Sequence, residues 1–508
     1  MAYLPDESTF LKKAQQGNLV PVWRELLSDQ DTPVSAYERL RAFLRRENPE
    51  APTFLLESVE GGEKIARYSF VGGNPSVIFE SEGRRVTIRR AGGAVEVQDD
   101  VDPMDALRAL LAPYRPVPDP ALPRFFGGLV GFMGYDVIPQ IEPRVGLPVR
   151  REHDFPDMQF ILTDTILIFD HVRHTAKVVA NVLIDGDPRA AYREAMAKID
   201  RVCQALAQPA NHTVIDIHEK PVPVEVRSNL TRDQFEQSVL KAQEYIRAGD
   251  IIQVVLSQRF ETDYDGDALD VYRALRCVNP SPYMFCLEFG DRRLVGASPE
   301  VHVRLEGRKV EVRPIAGTRP RSDDPAEDLA REKDLLADPK ERAEHIMLVD
   351  LARNDLGRVC AYRSVQVPEL MIIERYSHVM HIVSDVIGEL DGPSDAFDVM
   401  KATFPAGTVS GAPKIRAMEI IAELETTRRG PYSGAVGYYG FGGSLDSCIT
   451  IRTVMLHGGK AYVQAGAGIV ADSVPAMEFE ETCNKARGMM NAIALSRLYA
   501  GARTRQGA

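Results

Sequence analysis

The sequence predicts an α+β protein built on antiparallel sheets. Strand-like segments stand in pairs across short turns such as Glu306-Gly-Arg-Lys309 and His457-Gly-Gly-Lys460, which is hairpin chemistry. Long helical patterns lie among them without the strand–helix alternation of a wound parallel sheet. Strand patterns cover 85–89, 160–169, 178–184, 251–260, 301–305, 310–312, 449–456 and 461–465. Helical periodicity covers 231–248, opened by Thr231 as N-cap, then 328–352, 413–424 and 476–498. Five prolines within 113–123 forbid a helix or central strand there. Pro209, Pro221 and Pro223 mark 208–227 as a connector between an N-terminal part, 1–207, and a motif-dense part, 228–498. A tail follows at 499–508, and its small polar part, 501–508, is expected to fray.

The 508 residues are 44% hydrophobic and 26% charged, the profile of a soluble globular chain. A net charge of −12 argues against nucleic acid or an anionic membrane as main partner. The first residues have no basic start or apolar core, so no secretory signal is expected, and no run approaches the ~20 apolar residues of a membrane span. Six cysteines without a Cys-x-x-Cys pair suggest reduced thiols in a cytoplasmic protein, not a disulfide or zinc framework.

Gly466-Ala-Gly468 begins a match to a dinucleotide fingerprint, but no acidic residue follows Glu481 to hold a ribose, and Pro475 delays the helix. The alternatives are a tight turn, or glycines that let backbone N–H groups approach a carboxylate. The stretch 407–414 lacks the Walker spacing and the nucleophile-elbow pattern. Glu478 and Glu481 share one helix face, and Glu341, Glu344 and Asp350 lie on a second acidic helix. Such carboxylates are either solvated helix starts or, from two helices together, a magnesium site. His378 and His381 lack a third ligand for zinc. The basic segment 84–90 reads as a solvated strand.

Pro282-Tyr-Met284, Gly296-Ala-Ser-Pro-Glu300, Arg313-Pro-Ile-Ala-Gly-Thr-Arg319, the Glu344–Asp355 helix, His378-Val-Met-His381, 407–414, Gly466-Ala-Gly468 and Glu478-Phe-Glu-Glu481 occur in that order. Together they resemble the chorismate-utilising enzymes, most closely the anthranilate synthase large components. The likeness covers about 226–498 and extends to Leu55-Leu-Glu-Ser58 and Gly127-Gly-Leu-Val-Gly-Phe-Met-Gly-Tyr-Asp136. It implies one interwoven four-layer α/β/β/α body with two packed antiparallel sheets. It also implies that ammonia adds at C2 of chorismate as the C4 hydroxyl leaves, and that loss of the C2 proton with pyruvate gives anthranilate.

By resemblance Glu300 is the general acid and His381 the base, roles that suit a raised carboxyl and an imidazole titrating near neutrality. Glu344, Glu478 and Glu481 would hold Mg2+. Gly317, Thr318, Tyr432, Arg452, Gly466, Ala467 and Gly468 would bind chorismate. Leu55, Glu57, Ser58, Pro282, Tyr283 and Met284 would form a feedback pocket for L-tryptophan, with apolar walls from Leu55, Tyr283 and Met284. None of the six cysteines sits in a Gly-x-Cys-x-Gly turn, so the ammonia is expected from a separate glutamine amidotransferase subunit, in an α2β2 assembly.

Two enzyme relatives are rivals. Aminodeoxychorismate synthases can place a nucleophilic lysine where this chain has Ala316; isochorismate and salicylate synthases place a water-activating lysine where it has Gln253. A third rival, an inactive tryptophan sensor, sits poorly with the full acidic and histidine set.

Overall fold

The computed structural model describes residues 2–58, 67–210, 221–376 and 379–506. Among them are two sheets of twelve strands each, antiparallel throughout. The centre of the first sheet runs through neighbouring strands Thr53–Glu57, Tyr283–Phe289, Arg292–Ser298, Thr453–His457, Lys460–Ile469 and Gln253–Asp263. The second runs through Val379–Glu389, Lys309–Val312, Val301–Glu306, Leu445–Ile449, Ala435–Gly440, Gly128–Met133 and Met158–Thr163, with Ile315–Pro320 at one end. Strands from before and after the connector are neighbours in both sheets, which makes one interwoven body.

Alternation along the strands sends one set of side chains between the sheets and the other toward helices. Phe285, Leu287 and Leu294 meet Val130, Phe132, Tyr438 and Val303 in the inter-sheet core. Helices Pro33–Arg45, Pro188–Leu206, Ala268–Val278 and Pro475–Gln506 cover the outer face of the first sheet over Leu55, Met284 and Val454. Pro339–Gly357 and Ala396–Thr403 pack on the second. The layers are therefore helix, sheet, sheet, helix.

Where sequence patterning and structure differ, the differences are physical. The run 160–169 is two strands, Met158–Thr163 in the second sheet and Thr165–Asp170 in the first, and Asp164 carries the crossover. The run 449–456 splits likewise between Leu445–Ile449 and Thr453–His457. The pattern 328–352 is two helices, Pro325–Ala337 and Pro339–Gly357. Asp338 has extended backbone and caps the second helix, accepting from the amides of Lys340 and Glu341; the following proline forces that break. The C-terminal tail does not fray at 501: the last helix continues to Gln506, on residues such as alanine and arginine that favour helix. Thr231 caps Arg232–Ala248 as expected, in a reciprocal bond pair with Gln234. His378 lies outside the described residues. No helix among the described residues is long and apolar enough to cross a membrane.

Candidate active site

Between the two sheets and the starts of two helices lies a cavity of about 520 Å³. It collects the proposed acid and base, Glu300 and His381, the three proposed metal ligands, Glu344, Glu478 and Glu481, and Gly317, Thr318, Tyr432, Arg452, Gly466 and Gly468. Residues nearly two hundred positions apart thus share one wall.

Glu300 sits where the chain leaves the first sheet at Ser298 and joins the second at Val301. That crossing buries it, 6% exposed, and burial pushes its carboxyl up to about 8, so the protonated form prevails at neutral pH. The Thr408 hydroxyl donates to its Oε1 at 2.6 Å. Thr408 belongs to the 407–414 stretch that lacks the Walker spacing, and its hydroxyl orients the Glu300 carboxyl. His381, on the strand Val379–Glu389, lies 3.0 Å through Nδ1 from the Gly317 carbonyl and 3.0 Å from the Thr318 hydroxyl. A carbonyl only accepts, so Nδ1 carries the proton and Nε2 keeps its lone pair. Burial pulls the imidazole below its ordinary value, and the Gly317 contact opposes this only in part.

Arg452 is a largely buried cation whose one described hydrogen bond runs to the Lys485 carbonyl, at 3.2 Å. Burial lowers its pKa, the charge of Glu481 opposes this in part, and no carboxylate among the described residues lies within ion-pair distance of it. Its side chain is therefore ready for an external anion, and its fork suits a carboxylate.

The glycines at 466 and 468 form neither a turn nor a loop. They lie inside the strand Lys460–Ile469, opposite Ser257 and Val255. A Cβ on Gly466 would stand 2.8 Å from the Tyr432 hydroxyl, and one on Gly468 would collide with the Gln253 side-chain amide. Glycine here makes room for two cavity-lining side chains. Ala467 points to the opposite face of the sheet and is fully buried there, so its side chain is not part of the cavity wall.

Among the described residues, no three of His, Cys, Asp or Glu are gathered tightly enough to hold a metal unaided. The donor chemistry nevertheless fits a hard divalent cation. Glu344 is pushed up by burial and by the charges of Glu341 and Glu481, and Glu478 by burial and Glu481. Mutual repulsion of this kind is what a cation relieves, and magnesium takes its remaining ligands from water and substrate. Lys485 reaches Glu481 at 2.5 Å and the Gly466 carbonyl at 3.0 Å. That lysine lies four residues beyond Glu481, a helical spacing the sequence reading did not use. Glu480 turns outward to Arg232.

A second cavity, about 430 Å³, lies along the strand Leu445–Ile449 at Asp446 and Cys448 and is bordered by Glu57, Ser58, Pro282, Tyr283 and Met284. Two of the proposed walls face elsewhere. Leu55 and Met284 point to the outer helices, so Leu56, Tyr283 and Phe285 present their side chains inward instead. The Glu57 carboxylate is likewise engaged below the sheet by Tyr272 at 2.6 Å and Arg276 at 3.1 Å. The Ser58 hydroxyl is buried without a hydrogen-bond partner among the described residues, and Arg304, Tyr283 and Asp446 form a polar floor.

The family described as chorismate binding enzyme matches residues 44–491. The chain belongs to that family. Its chorismate-binding relatives include anthranilate synthase component 1 of Acetivibrio thermocellus, 46% identical over 484 residues that span 94% of this chain and 96% of the relative. Anthranilate synthase component 1 of Synechocystis is 47% identical over 508 aligned residues, spanning 96% and 99%. The crystal structure of anthranilate synthase component I from Streptococcus pneumoniae superposes with a TM-score of 0.75 at 40% identity, covering 85% of this chain and 95% of that one. Within this chorismate-binding family the cavity holding Glu300 and His381 is the candidate active site.

Proposed function

We propose that this chain is the large component of an anthranilate synthase, converting chorismate and ammonia into anthranilate and pyruvate. The observation that carries the reading is a buried carboxyl, Glu300, which burial raises to about 8, sharing one cavity with an imidazole, His381, which burial lowers. Glu300 protonates the departing C4 oxygen as ammonia bonds to C2, turning a poor leaving group into water. Nε2 of His381 then takes the C2 proton as pyruvate leaves and the ring becomes aromatic. Arg452 binds one substrate carboxylate, and Tyr432 and the Gly317–Thr318 segment hold the ring against the acid and base. Magnesium held by Glu344, Glu478 and Glu481 would neutralise the ring carboxylate and orient it. Gln253 lies against Glu344 at 3.5 Å and is an amide, unable to activate water; Ala316 offers no nucleophile.

Two titrations set the pH dependence. As pH falls, His381 gains a proton and the base is lost, at a pH below the ordinary histidine value because burial lowers it. As pH rises through about 8, Glu300 ionises and the acid is lost. The profile of kcat/KM is expected to be a bell with its alkaline limb near that value; a flat profile between pH 7 and 10 would remove Glu300 from the acid role.

A glutaminase partner is supported by the thiols. Cys203, Cys286, Cys360, Cys448 and Cys483 are all pushed up by burial, the wrong direction for a nucleophile. The isolated chain should form anthranilate from ammonium, in the presence of magnesium, and none from glutamine until a glutamine amidotransferase subunit is added; an α2β2 complex is the assembly proposed. Equal use of both nitrogen sources by the isolated chain would refute the partner.

Feedback by tryptophan is proposed at the second cavity, whose size suits an amino acid. The strand Leu445–Ile449 borders this cavity through Asp446 and holds the Glu300 carbonyl through the Ile449 amide at 3.1 Å, a contiguous path between the sites. Ser58→Phe fills the pocket; activity should persist while inhibition weakens by about tenfold or more, in line with couplings of ~1–3 kcal/mol. Inhibition curves that superpose on the parent's would place the pocket elsewhere.

A further inference from the structure

The geometry points to Arg429 as a positioning residue of the active site, a side chain that ties three separate segments around the cavity to each other. This rests on the function proposed above and extends it to a residue outside the cavity lining.

Arg429 follows the helix Lys414–Leu424 and is 2% exposed. All five of its N–H donors are used. Nε and Nη2 donate to Glu425 at 2.9 and 2.7 Å, Nη1 to the Val409 carbonyl at 2.8 Å and the Ser433 hydroxyl at 3.0 Å, and Nη2 also to the Val255 carbonyl at 2.7 Å. Its guanidinium lies between the rings of Tyr135 and Tyr432, 4.6 and 5.6 Å from their centroids.

Each acceptor belongs to a working wall. Val409 follows Thr408, whose hydroxyl orients Glu300. Ser433 follows Tyr432 and has a positive φ of 64°, a conformation that needs an outside restraint. Val255 lines the cavity from the strand Gln253–Asp263. Glu425 passes the link on, accepting from the Ser257 amide and hydroxyl, and Ser257 in turn accepts from Gln464. A planar five-donor fork satisfies this arrangement and a lysine ammonium, with three donors, does not.

Arg429→Lys keeps the charge and loses the fork. Chorismate consumption should show kcat down by about a hundredfold with KM changed by no more than about threefold, because misplacement of a wall costs orientation while Arg452 still binds the substrate. The alkaline limb should also move upward. Thr408 stabilises ionised Glu300, so a loosened Val409 weakens that bond, and Thr408→Val should move the limb in the same direction. Glu300 shares its surroundings with His302 and the Asp355–Lys414 pair on one side and, in the cavity, with His381, Arg452, Lys340, Lys485 and the carboxylates of Glu341, Glu344, Glu478 and Glu481, and none of these bonds to Arg429. A purely structural loss would lower the active fraction and leave the limb in place. Should Arg429→Lys fail to fold, Ser433→Ala removes a single acceptor and is expected to give a smaller fall in kcat with the same upward limb. Variants that match the parent in kcat and limb would overturn the positioning role alone. A parent that consumes no chorismate would overturn the functional reading, and the positioning role with it.

Discussion

Glu300→Gln should fold as the parent does and lose about a thousandfold in kcat, the middle of the range for removing a positioned general acid. The amide has nearly the shape of the protonated carboxyl it replaces, and its oxygen can still accept from Thr408, which donates at 2.6 Å in the parent. The substitution therefore leaves no buried charge and no orphaned hydroxyl. What it removes is the proton that turns the C4 oxygen into water. Steady-state kinetics beside a thermal melt make the check: the melting temperature should stay close to the parent's, and the alkaline limb near about 8 should disappear. Activity within tenfold of the parent would assign the acid to another group.

Magnesium removal is the second large effect. With excess EDTA the parent should lose essentially all turnover and regain it on adding magnesium. Glu481→Gln should need at least about 10–100-fold more magnesium for half-maximal activity, since that is the scale for losing a group that merely orients a ligand and Glu481 is itself a proposed ligand. Glu481 sits on an exposed helical surface and pairs with Lys485, so its replacement spares the core. Undiminished activity in EDTA, with an unchanged variant, would dissolve the metal assignment.

Local hairpins were legible because pairing across a short turn is a local property; the turns at 306–309 and 457–460 stand where the sequence puts them. A change of sheet was not legible. Strands on both sides of Asp164 are apolar and buried, so the run reads as one strand, and only three-dimensional layering separates its halves. The two metal-side helices could be read from i, i+3 carboxylates, but Glu300 carries no pattern of its own. What raises its pKa is burial at the crossing of two sheets, a non-local property that the family resemblance supplied and spacing did not. The same limit applies to Leu55 and Met284. Both segments border the second cavity, yet the choice between neighbouring side chains depends on which face of the strand meets the other sheet.

In the proposed reaction this cavity adds ammonia at C2 of chorismate and carries it through to an aromatic product. Incubating the purified chain with chorismate, ammonium and magnesium, and identifying every product by mass and NMR, tests it most directly. The predicted result is anthranilate and pyruvate in equal amounts. Accumulation of 4-amino-4-deoxychorismate, of isochorismate or of salicylate would contradict it, as would tryptophan binding by a chain that leaves chorismate untouched.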